Sequence, residues 1–227
     1  MVQAVRPAGN VTGAGTTALV YAAERPAASA LILGHGAGAG QHSTFMVEFS
    51  RALSTLGLDV ITFNFLYTEQ KRRIPDRGPV LEDTWRAVIG AVYERLDSAR
   101  RALFIGGKSM GGRIATQVAA ADSALPVAGL VLLGYPLHPP GQPEKLRDAH
   151  LPSVRRPMLF VQGSRDTFGT PDELAPILVR LSPVPTVHTI LGGDHSFKLS
   201  KKDPARQAEI YADIQRTIAA WITAGGT

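Results

Sequence analysis

The chain has 227 residues, 44% hydrophobic and 19% charged, with no cysteine and a net charge of +5. That balance belongs to an ordinary globular protein and excludes a disordered chain, a coiled coil or a collagen. Without cysteine there is no disulfide framework, thiolate metal site or cysteine nucleophile. The sequence pI near 9.7 raises the question of a nucleic-acid partner. The basic runs are short and scattered, however, at Lys71-Arg72-Arg73, Arg155-Arg156 and Lys201-Lys202, where a binding footprint would be clustered. The opening Met1-Val2-Gln3-Ala4 lacks the basic-then-apolar order of a signal peptide. No apolar run approaches the roughly 18 residues of a membrane span. The expectation is a soluble, cytoplasmic protein with no nucleic-acid or membrane partner, its oligomeric state unread.

Residues 1–15 carry no assignable element. Residues 16–21 read as an antiparallel edge strand. Six short, nearly all-apolar runs follow, at 30–33, 60–65, 102–105, 127–133, 158–161 and 187–191. Their length and continuity predict strands buried on both faces of a parallel sheet. Helical periodicity fills the gaps at 45–56, 81–96, 114–121, 171–181 and 205–224. Strand then helix, repeated, predicts one α/β domain with helices on both faces of a mostly parallel sheet. Of the 16 prolines, 11 lie between Pro126 and Pro185. Residues 136–157 therefore read as a loop-rich excursion between two strands.

In such a sheet, ligands sit outside the carboxyl ends of the strands. The loop after 102–105 reads Gly106-Gly107-Lys108-Ser109-Met110-Gly111-Gly112 and contains Gly-x-Ser-x-Gly, the nucleophile elbow. The strand must turn sharply into a helix so that the serine hydroxyl stands at the tip. Glycines two before and two after leave room for close backbones. Gly107-Lys108-Ser109 also resembles the end of a phosphate-binding P-loop. Its first glycine would fall at Ala102, and the intervening residues look like strand.

The loop after 30–33 is Gly34-His35-Gly36-Ala37-Gly38-Ala39-Gly40. Acyl transfer needs two backbone N–H donors for an oxyanion, and Ala37 and Met110 are the expected pair. His35 is expected to shape this loop by hydrogen bonding. A loose dinucleotide fingerprint here is weakened by Asn64, which stands where an acid should end the next strand.

The last two strands run into Gln162-Gly163-Ser164-Arg165-Asp166 and Gly192-Gly193-Asp194-His195. A serine needs a base, and the base needs a carboxylate to set its tautomer and stabilise its cation. Ser109, Asp166 and His195 stand at strand ends in the chain order of an α/β-hydrolase. Asp166 is preferred to Asp194 as the acid, because adjacent residues in a turn seldom orient each other's rings. His42, His138, His150 and His188 lack a matching acid and position. Lys108 and Arg113 read as structural.

The segments Gly-Lys-Ser-Met-Gly-Gly-Arg (107–113), Tyr-Pro-Leu-His-Pro-Pro-Gly (135–141), Leu-Phe-Val-Gln-Gly-Ser-Arg-Asp (159–166) and Gly-Gly-Asp-His-Ser-Phe (192–197) resemble a family of small α/β-hydrolases. It is related to dienelactone hydrolases and includes a testis-expressed branch in animals. The resemblance spans roughly residues 16 to 223 and implies the α/β-hydrolase fold with a Ser109, Asp166 and His195 triad. Dienelactone hydrolases proper carry a cysteine nucleophile, so their activity is not implied where Ser109 stands.

The excursion after the sixth strand is too short for a separate lid domain. An open, shallow site is expected, walled by Tyr135, Leu137, His138, Phe168 and Phe197, with residues 66–79 as a second wall. The function expected is hydrolysis of a small ester or thioester through an acyl-enzyme, with no cofactor or metal. A non-catalytic binding or scaffold protein on the same fold is the alternative, and nucleotide binding through Gly107-Lys108-Ser109 is a third reading.

Overall fold

The apolar runs become neighbouring strands of one sheet. The computed structural model describes residues 2–5, 15–199 and 203–226, so Lys201-Lys202 lies outside the described residues. The strands are β1 (Val2–Val5), β2 (Ala18–Tyr21), β3 (Ala30–Gly34), β4 (Asp59–Phe63), β5 (Leu103–Lys108), β6 (Gly129–Leu133), β7 (Met158–Gly163) and β8 (Thr186–Ile190), in the spatial order β1-β2-β4-β3-β5-β6-β7-β8. From β4 through β8 every pairing is parallel, while β2 runs antiparallel to both β1 and β4.

Side chains alternate across the sheet as the pleat requires. Ile32 joins the core cluster on one face, and its neighbours Leu31 and Leu33 join the cluster on the other. The first face is covered by helices α3 (Gly78–Arg95), α5 (Met110–Ala121) and α6 (Pro171–Leu178), the second by α1 (Thr44–Thr55) and α7 (Pro204–Thr223). With helices on both faces, a run such as β6 is buried at every position, which is why it reads as continuously apolar.

Four features differ from the sequence expectations. Residues 16–21 do not form the edge, because β1 pairs along the outer side of β2. Strand β8 is not buried on both faces: it is the last strand of the sheet, and Val187 is 41% exposed. Two short helices, α2 (Leu66–Glu69) and α4 (Asp97–Arg101), were not anticipated, being too short to show a periodicity. Helix α5 also starts at Met110, one turn before the alanine-rich stretch that signalled it. Residues 134–157 are turns and a single 3-10 turn, Leu151–Ser153, with no inserted lid domain.

Candidate active site

Ser109 stands at the junction of β5 and α5 with φ +50° and ψ −115°. A non-glycine residue there is strained, and its surroundings hold it. Its N–H donates to the Leu133 carbonyl at 2.9 Å, and its own carbonyl accepts from the Arg113 N–H at 3.0 Å. The flanking glycines let β5 and α5 close onto β3. A Cβ on Gly107 would lie 2.1 Å from the Gly34 carbonyl oxygen, and one on Gly111 would lie 2.2 Å from the same atom.

The loop after β8 carries His195 to this tip. His195 Nε2 lies 2.9 Å from Ser109 Oγ, and Nδ1 lies 2.8 Å from Asp166 Oδ2. An ionised carboxylate only accepts, so Nδ1 carries the proton and the Nε2 lone pair faces the serine hydroxyl. The Asp166 side chain is fully buried. It accepts from Gln162 Nε2 at 2.9 Å and from the Phe168 N–H at 2.8 Å. The Phe168 ring lies over the imidazole with centroids 4.2 Å apart. Asp194 instead ties its own turn, accepting from the N–H groups of Ser196 (2.7 Å) and Lys198 (2.9 Å).

The loop after β3 runs beside the serine, where a Cβ on Gly36 would meet Ser109 Cβ at 3.6 Å. His35 is the buried post that shapes it. Nδ1 donates to the Gly36 carbonyl at 2.8 Å, while Nε2 accepts from the Phe65 N–H at 3.2 Å. Burial lowers the His35 pKa and keeps the ring neutral. Ala37 and Met110 both line a cavity of about 900 Å³ together with Ser109 and His195. Among the described residues neither of their N–H groups donates to a protein acceptor.

A family model described as an alpha/beta hydrolase domain matches residues 27–223. The chain belongs to the α/β-hydrolase family. The fold is similar to that of an α/β serine hydrolase without lid from Xanthomonas campestris, at 23% identity over 97% of this chain and 94% of that one, with a TM-score of 0.74. It is also similar to a dienelactone hydrolase from Anabaena variabilis, at 18% identity over 99% and 97%, with a TM-score of 0.76. An α/β serine hydrolase homologue from Coxiella burnetii matches at 19% over 95% and 97%, with a TM-score of 0.74. Among the described residues no helix is long and apolar enough to cross a membrane.

The walls of this α/β-hydrolase differ from those expected. Phe168 lines the cavity, but Tyr135, Leu137, His138 and Phe197 do not. Tyr135 turns inward, its hydroxyl donating to the Arg147 carbonyl at 2.7 Å and its N–H to Gln162 Oε1 at 2.8 Å. Burial raises its pKa far above the usual phenol. His138 is held by the Pro139 carbonyl and by Glu173, 3.3 Å away. Phe197 is wholly buried, and Leu137 is likewise in the core. Of residues 66–79, Pro75, Asp76 and Gly78 reach the cavity, while Tyr67 is buried and the basic run 71–73 points to solvent. The cavity, at about 900 Å³, has the volume of a small-molecule pocket.

Two of the set-aside histidines do have carboxylate partners, His138 with Glu173 and His188 with Asp213. Neither lines the cavity. Arg113, read as structural, lines it directly, as does Lys108, whose Nζ donates to the His195 carbonyl. Gln162 and Gln207 were missed as supports. Gln207 Nε2 donates to the Phe197 carbonyl at 3.0 Å and steadies the His195 loop from α7. Gln162 left a signal, being a fully buried amide in an otherwise apolar strand, where such a group must find partners. Gln207, on a polar helix face, left none.

Proposed function

We propose that this protein is a serine hydrolase that cleaves an ester or thioester by acyl transfer, with Ser109 as nucleophile, His195 as base and Asp166 as its orienting acid. The reading rests on one observation, the unbroken hydrogen-bond chain from Ser109 Oγ through His195 to buried Asp166 at the wall of a small-molecule-sized cavity.

His195 Nε2 takes the hydroxyl proton as Oγ attacks the acyl carbonyl. Negative charge on the carbonyl oxygen meets the N–H groups of Met110 and Ala37, at the positive end of α5. The leaving alcohol or thiol takes its proton from His195. Water activated by the same ring then cleaves the acyl-enzyme and restores the serine. Asp166 stays a carboxylate throughout. The partner in this reading is a cytoplasmic small-molecule acyl compound, and no step requires a cofactor.

A fluorophosphonate probe tests it, with wild type beside Ser109→Ala and mass mapping of the adduct. The expected result is an adduct on Ser109 that the variant lacks. A folded wild type that takes no label would overturn the assignment in favour of a non-catalytic binding protein.

A further inference from the structure

We infer that Arg113 and Arg147 form an anion-binding subsite in the cavity, suited to a substrate that carries a carboxylate or phosphate at a distance from its scissile carbonyl. That the substrate is an ester or thioester rests on the serine-hydrolase reading above; the anion site itself does not.

Arg113 and Gln117 lie four residues apart along α5 and share one face of the helix, and Ser109 is the residue just before its first turn. All three line the cavity. Arg147 reaches the same cavity from the loop after β6. The Arg113 guanidinium has five donors. One of them meets Gln117 Oε1 at 3.3 Å, while Nε is buried with no partner. Among the described residues the Arg147 side chain has neither a hydrogen bond nor an ion pair.

Among the described residues the nearby carboxylates form no ion pair with either arginine. Glu82 pairs with Arg86 at 3.1 Å, Asp76 pairs with Arg72, and Asp148 forms no ion pair with either arginine. Glu48 belongs to the α1 wall, near Tyr211. Burial, and then the neighbouring Arg147 cation, lower the Arg113 pKa against the opposing pull of Tyr135 and Glu82. Two half-buried guanidinium groups with unused donors match the fork geometry of a carboxylate or phosphate. The Arg113 N–H donates to the Ser109 carbonyl at 3.0 Å, which sets the first turn of α5 directly behind the serine. Because Ser109, Arg113 and Arg147 line one cavity, the anion and the acyl carbonyl belong to one substrate.

The test compares p-nitrophenyl hydrogen glutarate with uncharged p-nitrophenyl valerate in wild type, Arg113→Gln, Arg147→Gln and Arg147→Lys. The expected wild-type kcat/KM favours the charged ester at least tenfold, and each Gln variant lowers that ratio at least tenfold, with Lys intermediate. A wild-type ratio near one, or the same ratio in all four proteins, overturns the proposal. A binding arm uses Ser109→Ala titrated with monomethyl glutarate, with and without Arg147→Gln. Saturable binding that the second substitution removes upholds the subsite even where no ester turns over. Absence of binding at millimolar concentration, in a protein whose wild type labels at Ser109, overturns the subsite and leaves the serine reading standing. Displacement by inorganic phosphate but not by acetate assigns the site to phosphate, and the reverse assigns it to carboxylate.

Discussion

Lys108 Nζ donates to the main-chain carbonyl of His195 at 2.5 Å, so the residue before Ser109 ties down the loop that carries His195. The ammonium also lies 5.5 Å from the centre of the Phe197 ring, whose backbone φ is +63°. Burial lowers the Lys108 pKa from 10.5 to about 8, against the opposing pull of Asp166 and Asp194. Between pH 8 and 10.5 the unfolded chain therefore holds more protons at this site, and stability from Lys108 rises with pH there. Melting of wild type and Lys108→Met across pH 7–10 should show the difference shifting in favour of wild type, by up to about 3 kcal/mol. The same variant should hydrolyse esters more slowly at every pH, because the His195 carbonyl loses its anchor.

Ser109 holds a strained backbone conformation, and glycine relieves the strain where alanine does not. Both Ser109→Gly and Ser109→Ala should abolish fluorophosphonate labelling. The glycine variant should nonetheless be the more stable of the two, by about 1 kcal/mol once its greater chain entropy is set against the relieved strain. Equal urea midpoints would show that the strain stored at the elbow is no larger than the entropic cost of glycine.

Gln162 links three backbone segments through one buried amide. Its Nε2 donates to Asp166 Oδ2 at 2.9 Å and to the Gly169 carbonyl at 2.6 Å, and its Oε1 accepts from the Tyr135 N–H. Gln162→Leu keeps the size and strands those partners in the interior. A loss of about 2–3 kcal/mol follows for buried groups left unpaired. The rate of Ser109 labelling should fall with it, because Asp166 is then free to turn from His195. Replacement by Glu puts a second carboxylate against Asp166 and should cost more in the same assay.

His150 contributes an acid-labile element. Burial, and then the Arg113 cation, lower its pKa from 6.5 to about 4. Between those values the unfolded chain binds the extra proton, so the folded state loses stability as pH falls through 6.5 toward 4. The ring is partly exposed, so the effect is on the order of 1 kcal/mol after screening. His150→Gln should flatten the pH dependence of the melting temperature between pH 7 and 4.5, while a slope equal to that of wild type would place the acid sensitivity elsewhere.

The alternation of strand and helix, the strand-end loops and the serine elbow could be read from residue order. Each imposes a demand that only a few residue types meet over short distances. A strand buried on both faces must be apolar throughout, as β6 is, and β5 and α5 can approach Gly34 only if residues 107 and 111 lack a Cβ. His35 was legible as a loop-shaping residue for the same reason, its partners Gly36 and Phe65 flanking strand ends whose positions the apolar runs had marked.

Direction and company were settled by the tertiary structure alone. Tyr135 and Arg113 are both near strand ends in sequence, yet one turns into the core and the other into the cavity. The difference comes from the hydrogen bonds Tyr135 makes to Arg147 and Gln162 and from the place of Arg113 in the first turn of α5, beside Ser109 at the cavity. Asp166 meets His195, and Asp194 does not, because β7 and β8 lie side by side and Asp194 is already engaged by Ser196 and Lys198. Local sequence determines what the backbone can do over a few residues. Which side chains meet depends on contacts between segments dozens of residues apart, and these exist only once the sheet has assembled.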